Sequence, residues 1–148
     1  MRHILPLSLG LTALACTTTP EKGAPFVQIV ETVPSLFQTV FVDDPERGQD
    51  FRLTVKTQGV DAADLNYFWY LDWLPGDPTL DLAAICGNKP TCTVNLCARN
   101  REQRDHTVLA VVSNVPLAAS LTPTVFPSDA AFDAVEWRLR RNADCPGP

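Results

Sequence analysis

The sequence L-N-Y-F-W-Y-L-D-W, residues 65–73, holds five of the twelve aromatic residues of the chain in nine positions. In a β-strand successive side chains point to opposite faces, and aromatic residues favour a pleated, half-buried surface. Tyr67, Trp69, Leu71 and Trp73 then fall on one face. The stretch therefore predicts a core strand with Trp69 at its centre and with Tyr67 and Leu71 beside it.

Short apolar alternations separated by turn residues continue on both sides of this stretch, a pattern typical of an antiparallel sandwich. In residues 51–56, for example, Phe51, Leu53 and Val55 alternate with polar side chains, as in a strand with one buried face. The predicted strands besides the aromatic one are residues 26–33, 37–42, 51–56, 91–97, 106–113 and 134 onward. An all-β fold of about seven strands is therefore expected.

Residues 128–141 fit either a helix or a strand. A helix would gather Phe132, Val135 and Leu139 on one face and leave Trp137 outside it. A strand from residue 134 onward places every large apolar side chain inside and the alternating charged ones outside. We therefore favour the strand, with Trp137 in the core.

One short helix is predicted over residues 77–87. Asp77 is a suitable N-cap, Pro78 suits the first helical position, and Gly87 lies just past the end. The helix would sit in a loop and bridge strands of the two sheets.

The N-terminus has the pattern of an export signal. Arg2 and His3 precede the apolar run 4–15, which ends in the small residue Ala15. A spanning helix needs about 20 apolar residues, whereas the apolar part of a signal peptide needs only about 7–15. Residues 1–15 are therefore predicted to be a signal peptide.

The segment A-L-A-C, residues 13–16, resembles the lipobox of bacterial lipoproteins, whose cysteine becomes the lipidated first residue of the mature protein. The resemblance implies a lipid on Cys16, with residues 16–25 as a flexible tether. Thr17 is compatible with outer-membrane sorting by the rule known for enteric bacteria. Because Ala13 and Leu14 are not the commonest residues at their positions, simple secretion is the alternative.

Residues 26–148 are enough for one domain and too few for two. The formal charge of the whole chain is -5 at pH 7. An acidic balance argues against nucleic acid or an anionic membrane surface as the partner. A single acidic sandwich domain is expected.

About seven strands, a tryptophan on the third strong strand and the late strand V-L-A-V-V-S resemble the immunoglobulin-like family, and more loosely its PKD-type relatives, over residues 26–141. The resemblance implies an antiparallel immunoglobulin-like sandwich. Strands 51–56 and 106–113 contain no cysteine, so the inter-sheet disulfide of antibody domains is absent. The glycine-rich turn of PKD domains is also missing after the aromatic strand.

If Cys16 carries lipid, four cysteines remain in an exported chain, which implies two disulfides with three possible connectivities. In an up-and-down order the strand ending at Cys97 and the last strand run parallel. Cys97 and Cys145 should then emerge at one pole, and Cys86 and Cys92 at the other. Other pairings would have to cross a strand length of about 17–20 Å. We therefore predict the disulfides Cys86–Cys92 and Cys97–Cys145.

His106 is the one histidine outside the predicted signal peptide, and it stands beside Asp105 and Thr107. We expect a partly exposed histidine at the edge of a strand, with no catalytic role and dispensable for folding. The sequence contains no G-x-S-x-G, H-E-x-x-H or phosphate-binding glycine loop. Since there is no C-x-x-C either, a zinc site is not expected.

Acidic side chains form two groups whose oxygens suit calcium: Asp43, Asp44, Glu46 and Asp50 in one turn, and Asp72, Asp77 and Asp81 after the aromatic strand. Neither group has EF-hand spacing. Turn formation, helix capping and solvation explain their positions. No metal or other cofactor is expected, and a calcium ion bound by these loops is the less favoured alternative.

These features together favour a lipid-anchored, extracytoplasmic binding or structural module of the bacterial cell envelope, without catalysis. Its partner would be an envelope protein or a glycan. Long loops often carry function, so recognition is expected in residues 72–90 and 114–133. The alternative is a small envelope enzyme, or a non-catalytic enzyme subunit, with a site near His106 or in the 72–90 loop.

Overall fold

A computed structural model of the protein describes residues 23–73, 86–97, 101–116 and 129–146. The strands in these ranges are β1 Phe26–Val33, β2 Val40–Val42, β3 Gln49–Gln58, β4 Asn66–Leu71, β5 Thr91–Val94, β6 Asp105–Ser113 and β7 Phe132–Arg141. A 3₁₀ turn, Ala62–Asp64, precedes β4. The prediction of an all-β fold with about seven strands is confirmed.

The strands pair into two sheets. One has the order β1-β3-β5, and the other has the order β2-β7-β6-β4. All neighbouring pairs are antiparallel except β2 and β7, which run parallel. The grouping of β4, β6 and β7 in one sheet, opposite β1, β3 and β5, is that of an immunoglobulin-like sandwich.

The parallel pair departs from the simple antiparallel order that the sequence predicted. After β1 the chain crosses to the second sheet without reversing, so β2 runs in the same direction as β7. Val40 is in register with Leu139 and Val42 with Arg141. Trp137 Nε1 donates a hydrogen bond of 2.8 Å to the Pro34 carbonyl at the crossing. Strand β2 begins at Val40, later than predicted, because residues 36–37 form a turn.

The helix predicted over residues 77–87 falls mostly outside the described residues. Gly87 is described, and its φ of +60° is the left-handed conformation that glycine adopts just past a helix end. No helix within the described ranges is long and apolar enough to cross a membrane.

The core is built around three aromatic rings. Phe51 comes from β3 in one sheet, whereas Trp69 and Trp137 come from β4 and β7 in the other. The indoles stack with centroids 6.0 Å apart, and the centroid of the Phe51 ring lies 4.9 Å from that of Trp137 and 6.3 Å from that of Trp69. All three side chains are buried. Trp69, Trp137 and Leu71 therefore occupy the core as predicted, with Tyr67 half-buried against it.

The alternation predicted for the two long strands is present. In β3, Phe51 and Leu53 are buried and Val55 is half-buried, whereas the alternating polar residues Arg52, Thr54 and Lys56 are exposed. In β7, Trp137 and Leu139 are buried between exposed charged residues, and Arg141 is buried as the next residue on the inner face. The strand interpretation of residues 134 onward is therefore confirmed, and the helical alternative is wrong.

Polar side chains close parts of two sheet edges. The Ile29 N–H donates to Asp133 Oδ2 at 2.7 Å, at a bulge in β1 between Ile29 and Glu31. On β4, the Asn88 amide accepts from the Tyr67 N–H at 2.7 Å and donates to the Leu65 carbonyl at 3.3 Å. These side chains occupy backbone groups that an added strand would need.

Replacing Trp69 with alanine should lower the free energy of unfolding by about 3–5 kcal/mol, because the ring joins both sheets and leaves a large cavity when removed. Urea unfolding followed by circular dichroism measures this loss. Phe37→Ala is the matched control, since the Phe37 side chain is 98% exposed and its removal should change stability by less than about 0.5 kcal/mol. A Trp69→Ala variant that unfolds like the parent would contradict the central place of the three rings.

Candidate functional site

His106 lies at the start of β6 and is buried, with no exposed side-chain surface. The expectation of a partly exposed histidine is therefore wrong. The error has a structural cause: the Asp72 side chain and the segment before β6 enclose the ring. Since a buried polar ring needs hydrogen-bond partners, those partners decide what His106 can do.

Asp72 follows β4 and holds the strand end against β6 with three hydrogen bonds. Its Oδ2 lies 2.7 Å from His106 Nδ1, and its Oδ1 accepts from the Thr107 N–H at 2.8 Å. Its own N–H donates to the Thr107 carbonyl at 2.8 Å. Asp72 has a φ of +50°, a left-handed conformation that aspartate tolerates better than most residues. The carboxylate is therefore a structural clamp between β4 and β6.

Both ring nitrogens of His106 are engaged within the domain. Nε2 lies 2.9 Å from the Gln103 carbonyl oxygen, which can only accept a hydrogen bond. Nδ1 faces the Asp72 carboxylate. A general base must present a free nitrogen to the substrate. This geometry gives His106 a structural role and leaves neither nitrogen turned toward a substrate.

Arg141 is a buried cation in the same polar cluster, which sequence reasoning missed. Its Nε and Nη2 donate to the Gln103 carbonyl, Nη2 also donates to the Arg101 carbonyl at 2.8 Å, and Nη1 contacts Cys145 Sγ. The signal was available, because the alternation that buries Trp137 and Leu139 places residue 141 on the same face. Arg141 ties the segment before β6 to the C-terminal end of β7.

The structure forms the disulfides Cys86–Cys92 and Cys97–Cys145, the pairing favoured by the sequence, with Cα–Cα distances of 4.8 and 5.7 Å. The second lies beside Arg141 and joins the chain after β5 to the chain after β7. The first fixes the segment before β5, where the Lys89 carbonyl accepts from Trp69 Nε1 at 3.0 Å. The first disulfide therefore lies next to a hydrogen bond of the buried Trp69, and the second is in contact with the buried Arg141.

The described residues begin at position 23, so Cys16 lies outside them. The loops in which recognition was predicted, residues 72–90 and 114–133, are described only at their ends. The predicted lipid site and loop sites therefore stay predictions.

Three carboxylates in and beside the acidic turn before β3 accept hydrogen bonds from other groups of the domain. Asp44 Oδ1 accepts from the Arg47 N–H at 3.1 Å, and Asp50 Oδ1 accepts from the Thr93 hydroxyl at 2.6 Å. Asp43 Oδ1 accepts from the Asn142 amide at 2.7 Å. Among the described residues no three histidine, cysteine or acidic side chains converge as metal ligands would.

A surface cavity of about 600 Å³ lies away from His106, beside the Cys86–Cys92 disulfide. Its lining includes Asp50, Arg52 and Lys89 from strand β3 and the segment before β5. The two cysteines in its wall are oxidised, and Asp50 is bonded to Thr93.

Exposed apolar side chains are concentrated in one stretch. Of the six large exposed apolar residues in the described part of the chain, four lie between positions 33 and 41. They are Val33 at 45% exposure, Leu36 at 38%, Phe37 at 98% and Phe41 at 60%. We call these four residues the β2 patch. The four side chains are neighbours in sequence, and their exposure makes them candidates for a binding surface.

Removing either member of the His106–Asp72 pair should destabilise the domain by about 1–3 kcal/mol, because a buried polar group loses its partner. The double variant His106→Ala with Asp72→Ala should cost clearly less than the sum of the two single variants. Urea unfolding of all four proteins gives the coupling. Asp105→Ala is the control, since its carboxylate is 74% exposed and 3.8 Å from Arg140. Additive losses would show that the pair does not act as a unit.

We predict that the domain loses stability at alkaline pH, because burial raises the pKa of the Tyr67 hydroxyl above the ordinary 10.0. The folded state then holds the phenolic proton more tightly than the unfolded state. This contribution to stability is complete below pH 10.0 and is lost as the pH rises through the folded-state pKa.

Tyr67→Phe should remove that part of the pH dependence, as measured by urea unfolding between about pH 9 and pH 12. The only other tyrosine is Tyr70, so phenolate absorbance of Tyr70→Phe reports Tyr67 alone. Ionisation of Tyr67 at or below its ordinary pKa would contradict the burial effect.

Comparison of the chain with protein-family models gives no match, and comparison with curated proteins and with solved structures gives none either. The function must therefore be argued from the residues and the geometry above.

Proposed function

We propose that the protein is an extracytoplasmic binding or structural module of the bacterial cell envelope, held at the membrane by lipid on Cys16. The apolar run 4–15 and the A-L-A-C segment support export and lipidation. The two disulfides fit an extracytoplasmic location, because disulfides persist in oxidising compartments. The outer membrane is the proposed site, from Thr17 after the lipidated cysteine.

The β2 patch is the observation that supports binding as the function. Phe37 is 98% exposed, although burying a phenylalanine side chain is worth about 1.5–3 kcal/mol. It lies at a turn next to strand β2, which is joined to the sheet by β7. Exposed phenylalanines on and next to an edge strand are suited to bind another molecule.

His106 supports a catalytic function less than the β2 patch supports binding. Both of its ring nitrogens are engaged by Asp72 and the Gln103 carbonyl, and the side chain is buried. An enzyme or an enzyme subunit with a site in the 72–90 loop is the competing class. We favour the binding module because the β2 patch is exposed, whereas the histidine is enclosed.

The anchor predicts the form of the mature N-terminus. The chain isolated from envelopes should begin at Cys16, and its N-terminal peptide should carry the added mass of acyl chains. Cys16→Ser should abolish the modification and release the protein from the membrane fraction. Thr18→Ser is the control and should leave both unchanged. Mass spectrometry of the N-terminal peptide decides the matter, since an unmodified Cys16 or cleavage elsewhere would leave a freely secreted protein.

A further inference from the structure

The surface cavity beside the Cys86–Cys92 disulfide is lined in part by polar side chains on the outer face of the three-stranded sheet. Asp50 and Arg52 alternate with buried residues of β3, so both point outward. On β5, Thr93 stands opposite Asp50, and Thr91 stands opposite Arg52. The volume of about 600 Å³ is in the range of small-molecule sites. Two cross-strand pairs in fixed register thus form one wall of a cavity large enough for a small ligand.

The charges of this lining are separated along the sheet. Lys89 precedes β5 and lies beyond Thr91, which pairs with Arg52, so the two cations share one end of the cavity. Asp50 and Thr93 form the other end, where Asp50 Oδ1 accepts from the Thr93 hydroxyl at 2.6 Å. Because a strand rises by about 3.3 Å per residue, the Cα atoms of Asp50 and Arg52 are about 7 Å apart.

The charged groups of the lining keep hydrogen-bonding capacity. Within the described ranges, the Arg52 guanidinium and the Lys89 ammonium form no ion pair and no side-chain hydrogen bond. Asp50 Oδ2 likewise accepts no hydrogen bond from a described residue. A ligand that enters the cavity therefore meets donors at one end and an acceptor at the other.

The outer face of this sheet as a whole carries little net charge. Besides the lining, its strands carry the exposed Glu31 and Lys56, one of each sign. The turn 43–47 adds three carboxylates and one arginine beyond Asp50, at the acidic end. Overall sign therefore does not select a ligand. The separation of the cations from Asp50 favours a ligand that has an anionic group at one end and a cationic group at the other.

The backbone that carries Lys89 is held in place. Lys89 lies inside the short loop closed by the Cys86–Cys92 disulfide, and its carbonyl accepts from Trp69 Nε1 at 3.0 Å. The next carbonyl, that of Pro90, accepts from the Leu53 N–H at 2.9 Å. Binding at a wall that is already ordered costs less conformational entropy.

We infer that this cavity binds a small zwitterionic ligand of the short-peptide class, with its carboxylate at Arg52 and Lys89 and its ammonium group at Asp50. An extended chain spans at most about 3.6 Å per residue, so the termini of a dipeptide are about as far apart as Asp50 and Arg52. The threonine hydroxyls at both ends can donate to or accept from its peptide group. Of the described lining only Val33 belongs to the β2 patch, so this site goes beyond the binding function proposed above.

The test uses the full chain with Cys16→Ser and both disulfides formed, isotope-labelled for NMR. The probes are alanyl-alanine, its N-acetylated form, its C-terminal amide, and acetate. Chemical-shift titration gives each Kd and the residues affected. Alanyl-alanine should shift the amides of residues 50–52 and 91–93. Blocking either terminus should weaken binding about threefold to fivefold, the effect of one exposed ion pair.

Variants assign each terminus of the dipeptide to its end of the cavity. Arg52→Gln with Lys89→Gln should remove the difference between the dipeptide and its amide, and Asp50→Asn should remove the difference between the dipeptide and its N-acetylated form. Lys56→Gln and Glu31→Gln are the matched controls, because both side chains are exposed on the same sheet outside the lining, and they should change neither difference. All five side chains are exposed, so each variant should unfold like the parent.

Three results would overturn the inference. The first is equal binding of alanyl-alanine and its two blocked forms, which excludes recognition of the termini. The second is equal binding of acetate and alanyl-alanine, which makes the cavity a site for simple anions. The third is a set of shift changes confined to residues outside the lining, which places the peptide elsewhere. Loss of the Cys16 lipid, or of binding at the β2 patch, would leave these results unaffected.

Discussion

The contact of Phe51 with Trp69 and Trp137 is the interaction on which the rest of the domain depends. It joins β3 in one sheet to β4 and β7 in the other. Aromatic side chains bury large areas, so three of them in contact stabilise the packing of the two sheets. Both indole N–H groups are satisfied by main-chain carbonyls, at Pro34 and Lys89, which also fixes the connecting segments.

A polar cluster secures the end of the sandwich where β6 begins and β7 ends. Asp72 and His106 link the ends of β4 and β6, while Arg141 draws the Gln103 and Arg101 carbonyls toward the Cys97–Cys145 disulfide. Breaking one partner of such a cluster leaves a buried charge or donor without compensation. The hydrogen bonds of Asp72, His106 and Arg141 therefore stabilise this end of the domain.

The proposed binding function depends on strand β2 and the exposed residues next to it. The crossing of the chain after β1 places this short strand at the sheet edge, beside β7, and brings Phe41 next to Arg140. Polar side chains close backbone groups on β1 and β4, whereas β2 presents Phe37 and Phe41 to solvent. A surface of this composition supports binding, and it lies on a described edge outside the two loops in which the sequence placed recognition.

The sequence by itself determined the strands and their inner faces. Alternation with a period of two is a local signal, so it located Trp69, Trp137 and the strand from residue 134, and chain direction with strand length favoured the two disulfides. The run 4–15 and the A-L-A-C segment are also the basis on which we propose export and a lipid on Cys16.

Only the tertiary structure decided the sheet change of β2, the burial of His106 and the exposure of the β2 patch. Each of these depends on contacts between residues far apart in the chain, such as Asp72 with His106 and Phe41 with Arg140. A local pattern cannot report such pairs, because it specifies which way a side chain points within its strand and not which other segment lies there.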